Sequence, residues 1–256
     1  VGRVKNMDLE DYAVGVITKM SLKDCGIEWL CLTAPRKEHV AEVLKQENPF
    51  CVGRVKNMVL REYAVGVLTK MSLKDCEIEW LCLTVSEEAH VAEVLKQEKP
   101  FCVGRVKNMD LEDYAVGVIT KMSLKDCEIE EFYLSAFRRG HVAAVLAQEK
   151  PFCVGRRVGN MRLGGYAVDV ITKMSLKECE IERLSLTAFR KEHVAAVLAQ
   201  EKPFCVGRVK KMWFWDYAVG VITKMSLKDC EIEYLELITS EEAHVAGILK
   251  QEKPFC

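Results

Sequence analysis

Five histidines, His39, His90, His141, His193 and His244, and twelve cysteines are the residues of this 256-residue chain best suited to general-base, nucleophilic or metal chemistry. Their spacing argues against all three. A catalytic histidine belongs to a unique set, with a nucleophile and an orienting group converging on it. These five hold one recurring position in the first turn of a segment with helical periodicity, which reads as packing or capping. Each Cys25-type cysteine lies fourteen or so positions before its histidine, without the close paired spacing of a zinc site. No G-x-x-x-x-G-K-[ST] or G-x-G-x-x-G phosphate loop is present. The expectation is a protein without catalytic residues, bound metal or cofactor, and not an enzyme.

Ten cysteines form two recurring sets, Cys25, Cys76, Cys127, Cys179, Cys230 and Cys51, Cys102, Cys153, Cys205, Cys256; Cys31 and Cys82 share a third position. Cysteines recurring once per turn stack as small buried hydrophobes rather than as staples. Reduced, structural thiols are predicted, which favours the cytoplasm or another reducing compartment.

The element that must position all of these is a repeat. Units 1–51, 52–102, 103–153, 154–205 and 206–256 share V-G-R-V-K-N-M, then Y-A-V-G-V-I-T-K-M-S-L-K-D-C, I-E-x-L-x-L, H-V-A-x-V-L and P-F-C, with one extra residue near Arg156 and Arg157. A period of this size is read before any single motif, because each unit buries its apolar face against its neighbours. The expectation is a single repeat domain over 1–256. Val40, Val43 and Leu44 lie on one stripe of a helix over 37–47, stopped by Asn48-Pro49. Two strand-like cores follow per unit, Val4-x-x-Met7-x-Leu9 and Ile27-x-x-Leu30-x-Leu32, separated by steps of about 23 and 28 residues.

These phrases, with the helix that ends in N-P or K-P, resemble the leucine-rich repeat family over essentially the whole chain. Tyr12 and Pro35 or their equivalents depart from it where Asn or Cys usually closes the strand. The resemblance implies a right-handed α/β solenoid of ten short turns, two per unit, with parallel strands on a concave side and helices outside. Two other readings stay open. Ile17-x-x-Met20-x-Leu22-x-x-Cys25-x-Ile27 fits the same phrase and suits an antiparallel hairpin. Five such units could close into an α/β ring like the propeller of the guanidine-modifying enzymes and of a ribosome anti-association factor, with a function of either kind. Leu9, Tyr12, Ala13, Val16, Ile17 and Met20 could instead form an amphipathic helix in an all-helical solenoid.

The units differ most where strand side chains alternate with the apolar set and so face solvent. The candidate partner-binding residues are Asp8, Glu10, Trp29, Arg61, Trp80, Asp110, Glu112, Glu131, Tyr133, Arg162, Arg183, Trp213, Trp215, Tyr234 and Glu236. Aromatic residues on an outward phase are enriched at binding hot spots, so a protein or peptide partner is expected. Such near-identical units with varied surface positions fit a consensus-designed binder or a young duplication.

Charge sets further bounds. With 37 basic and 38 acidic residues the chain has a net charge of -1, which opposes non-specific nucleic-acid binding. No run approaches 18 consecutive apolar residues, so no membrane span is expected, and no charged stretch leads into an apolar N-terminal run. The sequence begins at Val1, which leaves a removed leader open. Missing caps would leave apolar ends suited to self-association, the signature of a structural repeat protein that stacks between chains.

Overall fold

The computed structural model describes residues 4–125 and 127–250. Two long strands arise from each repeat: β1 (Asn6–Glu10), β2 (Gly26–Ala34), β3 (Arg54–Glu62), β4 (Glu77–Val85), β5 (Arg105–Asp113), β6 (Glu128–Ala136), β7 (Arg157–Gly165), β8 (Glu180–Ala188), β9 (Arg208–Asp216) and β10 (Tyr234–Ile238). They follow one another in chain order, parallel in every described pair, with β1 and β10 as edges. The ladder is therefore open and does not close into a ring. The chain is an α/β repeat solenoid with repeats of about 51 residues. It divides into two compact bodies, Val1–Glu128 and Ile129–Cys256.

Parallel pairing follows from the connections. A parallel neighbour needs a crossover of a dozen or more residues, and each strand is followed by a short helical crossover. The first crossover is largely 3-10, as in Tyr63–Lys70, where Val65, Val67 and Leu68 are buried. The second carries the histidine and a short α-helix, as in Glu88–Leu95. Hairpin and all-helical readings fail on these facts: residues 17–19 form a 3-10 turn, not a strand, and residues 6–10 are a strand, not a helix. The expected 37–47 helix is also shorter. It splits into a 3-10 turn Lys37–Val40 and an α-helix Ala41–Leu44, because Val40 at φ -108°, ψ 0° lies in the bridge region between the two. No helix among the described residues is long and apolar enough to cross a membrane.

The core is a stack of matched apolar rungs. In the first body Ile27, Leu30 and Leu32 lie beside Val55, Met58 and Leu60, and Ile78, Leu81 and Leu83 beside Val106, Met109 and Leu111. In the second, Ile181, Leu184 and Leu186 lie between Val158, Met161 and Leu163 on one side and Val209, Met212 and Phe214 on the other. All are buried. Each such side chain contributes about 1.5–3 kcal/mol of burial. In the fourth repeat Asp169 replaces the crossover glycine. Although buried, it accepts hydrogen bonds from the backbone N–H groups of Ala196 (3.1 Å) and Val197 (2.9 Å).

The cysteines divide. Cys25, Cys76, Cys127 and Cys179 are buried as expected, and burial pushes the Cys179 thiol up to about 12. Cys51, Cys102 and Cys153 are exposed, contrary to the expectation. They occupy the second position of two-residue strands such as Phe50–Cys51, paired with Met71–Ser72, and alternation turns them outward. Their sulfur atoms accept from the following glycine N–H, 3.4 Å for Cys51 and Gly53. Cys256 lies outside the described residues.

That glycine is a fixed point of the turn. Gly104 has φ +74°, and a Cβ there would lie 2.5 Å from the carbonyl oxygens of Leu73 and Cys76. Gly104→Ala is expected to cost on the order of 2 kcal/mol, read as a lower urea midpoint; an unchanged midpoint would contradict this packing.

Candidate interaction surface

The outward strand positions form rows. Across β1 to β5 one row reads Asn6, Trp29, Asn57, Trp80, Asn108, the next Asp8, Cys31, Val59, Cys82, Asp110, and the third Glu10, Thr33, Arg61, Thr84, Glu112. The asparagines belong to the scaffold. Asn57 Nδ2 donates to the Glu28 carbonyl at 2.8 Å, and Asn108 Nδ2 to the Glu79 carbonyl at 2.7 Å. Each amide thus satisfies a strand carbonyl from the neighbouring strand. Trp29 and Trp80 flank Asn57 and meet edge-to-face, 5.7 Å between ring centroids, while each keeps 38% of its surface exposed. Neighbour contact of this kind limits rotamer freedom before any partner arrives.

Charge in the first body falls into two classes. The Lys and Arg of V-G-R-V-K meet glutamates of a neighbouring strand, the following one for Lys5–Glu28 at 3.3 Å and Lys56–Glu79 at 3.8 Å and the preceding one for Arg105 with Glu77. These exposed pairs contribute little each, but they leave that edge balanced. Asp8, Glu10, Asp110 and Glu112 have no cationic nitrogen within ion-pair distance among the described residues. Arg61 points its Nη1 at Cys31 Sγ, 3.4 Å away. Burial, and then the Glu112 charge, raise Asp110 to about 6, and burial pushes the Cys82 thiol to about 11.

The second body presents a different chemistry. Glu131 accepts from Asn160 Nδ2 at 3.0 Å and pairs with Arg162 Nη2 at 3.4 Å. The Arg183 guanidinium lies over the Trp213 ring at 5.4 Å, Trp213 meets Tyr234 at 5.2 Å, and the Tyr234 hydroxyl donates to Glu236 at 3.0 Å. Trp213 and Trp215 flank the fully buried Phe214 and are themselves half-buried. Gly164 occupies the position of Glu10, Arg61 and Glu112, in register with Thr187 and Trp215, and the Tyr133 hydroxyl lies 4.0 Å from where its Cβ would stand.

Every predicted partner-binding residue holds an outward position. Asp8, Glu10, Trp29, Arg61, Trp80, Glu131, Arg162, Arg183 and Tyr234 are exposed, and Asp110, Glu112, Tyr133, Trp213, Trp215 and Glu236 are half-buried. The variable Cys31 and Val59 are almost covered.

The histidines have a partner that spacing did not show. At the end of the first strand of a repeat an acidic residue adopts left-handed backbone, and the histidine of the next crossover turns Nδ1 to it. His39 lies 3.2 Å from Asp11 Oδ1, His90 2.5 Å from Glu62 Oε2, and His244 3.4 Å from Asp216 Oδ1. A tyrosine packs on each of these rings, with centroids 4.3–4.7 Å apart for Tyr12–His39, Tyr63–His90 and Tyr217–His244. The Ser86 hydroxyl donates to Glu62 and not to His90, so no nucleophile–base contact forms there. No group of three His, Cys, Asp or Glu among the described residues could hold a metal ion.

Comparison with family models, curated proteins and solved structures finds no match for the chain.

Asp110 generates a pH signature. Its folded-state pKa, about 6, lies above the ordinary carboxylate value of 3.8. The folded chain therefore holds this proton more tightly than the unfolded one, and stability falls as pH rises from about 4 to about 6. Asp110→Asn is expected to remove that slope in urea unfolding at pH 4.5 and 7; an identical slope in both proteins would contradict it.

Proposed function

We propose that the chain is a recognition scaffold of leucine-rich-repeat type that binds a protein or peptide partner through the outward strand positions, without covalent chemistry or a cofactor. The observation that carries this reading is the stack of Arg183, Trp213 and Tyr234, continued by Trp215, on the outward face of the second body. These side chains stand at outward positions where the scaffold does not require an aromatic, since other repeats place Asp, Val or Arg there, and their mutual contacts hold them in place. Ordering them on binding then costs little, which is what a binding anchor requires. The leucine-rich assignment draws its support from the two V-x-x-M-x-L and I-x-x-L-x-L strands per repeat and their parallel pairing.

A second reading, stacking between chains, draws on β10. Leu235 and Leu237 are 44% and 42% exposed, whereas their counterparts Leu184 and Leu186 lie under Met212 and Phe214. Growth of particle size with concentration in light scattering supports it, and a constant monomer mass opposes it.

Peptides selected against the wild-type chain from a displayed library are the direct test of the first reading. Replacing both Trp213 and Trp215 with Ala is expected to weaken their binding by at least about thirtyfold, a loss of about 2 kcal/mol, with the circular dichroism spectrum retained. Undiminished binding would sink the assignment of the face.

A further inference from the structure

The fourth repeat lacks the carboxylate that the others place at the strand end. Asp11, Glu62, Asp113 and Asp216 hold this position at φ 54–56°, and Gly165 holds it at φ 61°. What surrounds the carboxylate is clearest at Glu62. The backbone N–H of Ser86 (3.1 Å), the Ser86 hydroxyl (3.0 Å) and His90 Nδ1 (2.5 Å) converge on its two oxygens. They lie in a cleft of about 390 Å³ lined also by Pro35, Arg36 and Lys37.

The fourth repeat keeps the histidine and removes the acid. His193 is 7% exposed, its Nδ1 has no hydrogen-bond partner among the described residues, and Tyr166 packs on its ring at 4.7 Å as Tyr63 does on His90. A Cβ at Gly165 would stand 4.0 Å from the imidazole Cε1 and only 2.4 Å from the Ala136 carbonyl oxygen, so any acceptor for the ring must come from beyond the backbone at this position. A buried polar atom without a partner is destabilising, so the position favours any group that can accept from it.

The surroundings change in the same direction. Pro35-Arg36-Lys37-Glu38 of the first cleft becomes Phe137-Arg138-Arg139-Gly140, and Ser86-Glu87-Glu88 becomes Phe189-Arg190-Lys191. Burial, and then the Arg190 charge, hold His193 below its ordinary pKa against the opposing charge of Glu192. No carboxylate lies within ion-pair distance of Arg138, Arg139 or Arg190 among the described residues. Phe137 and Phe189 are 74% and 71% exposed. Where this repeat has lost its strand-end anion, its two flanking segments have gained arginines without a close ion-pair partner among the described residues and two exposed apolar rings.

We propose that the notch at Gly165 and His193 binds a carboxylate supplied from outside the chain, carried on an apolar stem, at the place where the other repeats use their own Asp or Glu. His193 Nδ1–H donates to the carboxylate, Arg190 compensates its charge, and Phe137 and Phe189 flank the stem. The notch lies at the strand ends, apart from the outward rows, and this inference stands independently of the recognition reading above. A free short-chain acid and an acidic residue of a peptide share this chemistry.

The test follows the imidazole resonances of all five histidines in the full chain by NMR, titrating acetate, butanoate or a blocked Asp-containing tetrapeptide at pH 7 and constant ionic strength, with chloride as reference. Saturable shifts confined to His193 are expected, with butanoate binding up to about tenfold more tightly than acetate for its two further methylenes. Stronger binding of the tetrapeptide than of butanoate assigns the carboxylate to a protein partner, and the reverse assigns it to a small acid; both support the site. Gly165→Asp, which restores the acid of the other repeats, should abolish the response. Arg190→Glu, an exposed change that leaves the fold intact, should weaken it at least about fivefold. No saturable shift at His193, equal shifts at all five histidines, or an undiminished response in Arg190→Glu would overturn the proposal.

Discussion

The structure depends on one constraint: a parallel strand ladder accepts side chains on its inner face only where the neighbouring strand offers a matching rung. Leu30 meets Met58, Leu81 meets Met109 and Leu184 meets Met212, each pair buried and each at the same height in its repeat. A change at one of these positions is felt on both sides, because packed interiors leave no slack. Outward positions carry no such demand. That asymmetry explains why the five units keep apolar residues throughout V-x-x-M-x-L and I-x-x-L-x-L, with only Phe214 and Phe132 standing for a leucine, yet place Asp8, Val59, Asp110, Arg162 and Trp213 at one and the same outward site.

A second device ties the crossovers to the ladder. The acid at the strand end sits in left-handed backbone, which a side chain enters at a cost of order 1–3 kcal/mol. Contact with a buried histidine and, in the second repeat, three converging donors offsets that cost. Gly165 adopts the same conformation with less strain. The fourth repeat can therefore dispense with the acid without changing its backbone, and the histidine is left without its acceptor.

Much of this was legible in the sequence. Alternation around Leu9, Leu30 and Leu32 separated inner from outer positions, and steps of about 23 and 28 residues announced two parallel strands per repeat. What escaped depends on groups distant in sequence or on local turn type. Glu62 and His90 are 28 positions apart, and nothing in either segment indicates that they meet. The crossover Tyr63–Lys70 is rich in β-branched residues, which spoke against α-helix, but 3-10 geometry has no comparable periodic mark. Cys51 and Cys25 look alike as recurring thiols, and only the short strand Phe50–Cys51 turns one of them outward. Asp169 stands alone among glycines at its position, and its partners, the N–H groups of Ala196 and Val197, belong to another crossover.

The central claim is that inner rungs hold the fold while the outer rows are free to serve recognition. Equilibrium unfolding in urea tests it most directly, comparing Leu81→Ala with the triple replacement of Trp29, Arg61 and Trp80 by Thr. The single inner change should cost about 2–5 kcal/mol, and the three outer changes together should stay within about 1.5 kcal/mol, the sum for exposed sites. If the outer triple proved as destabilising as Leu81→Ala, the outward residues would be part of the scaffold and the separation of fold from recognition would fail.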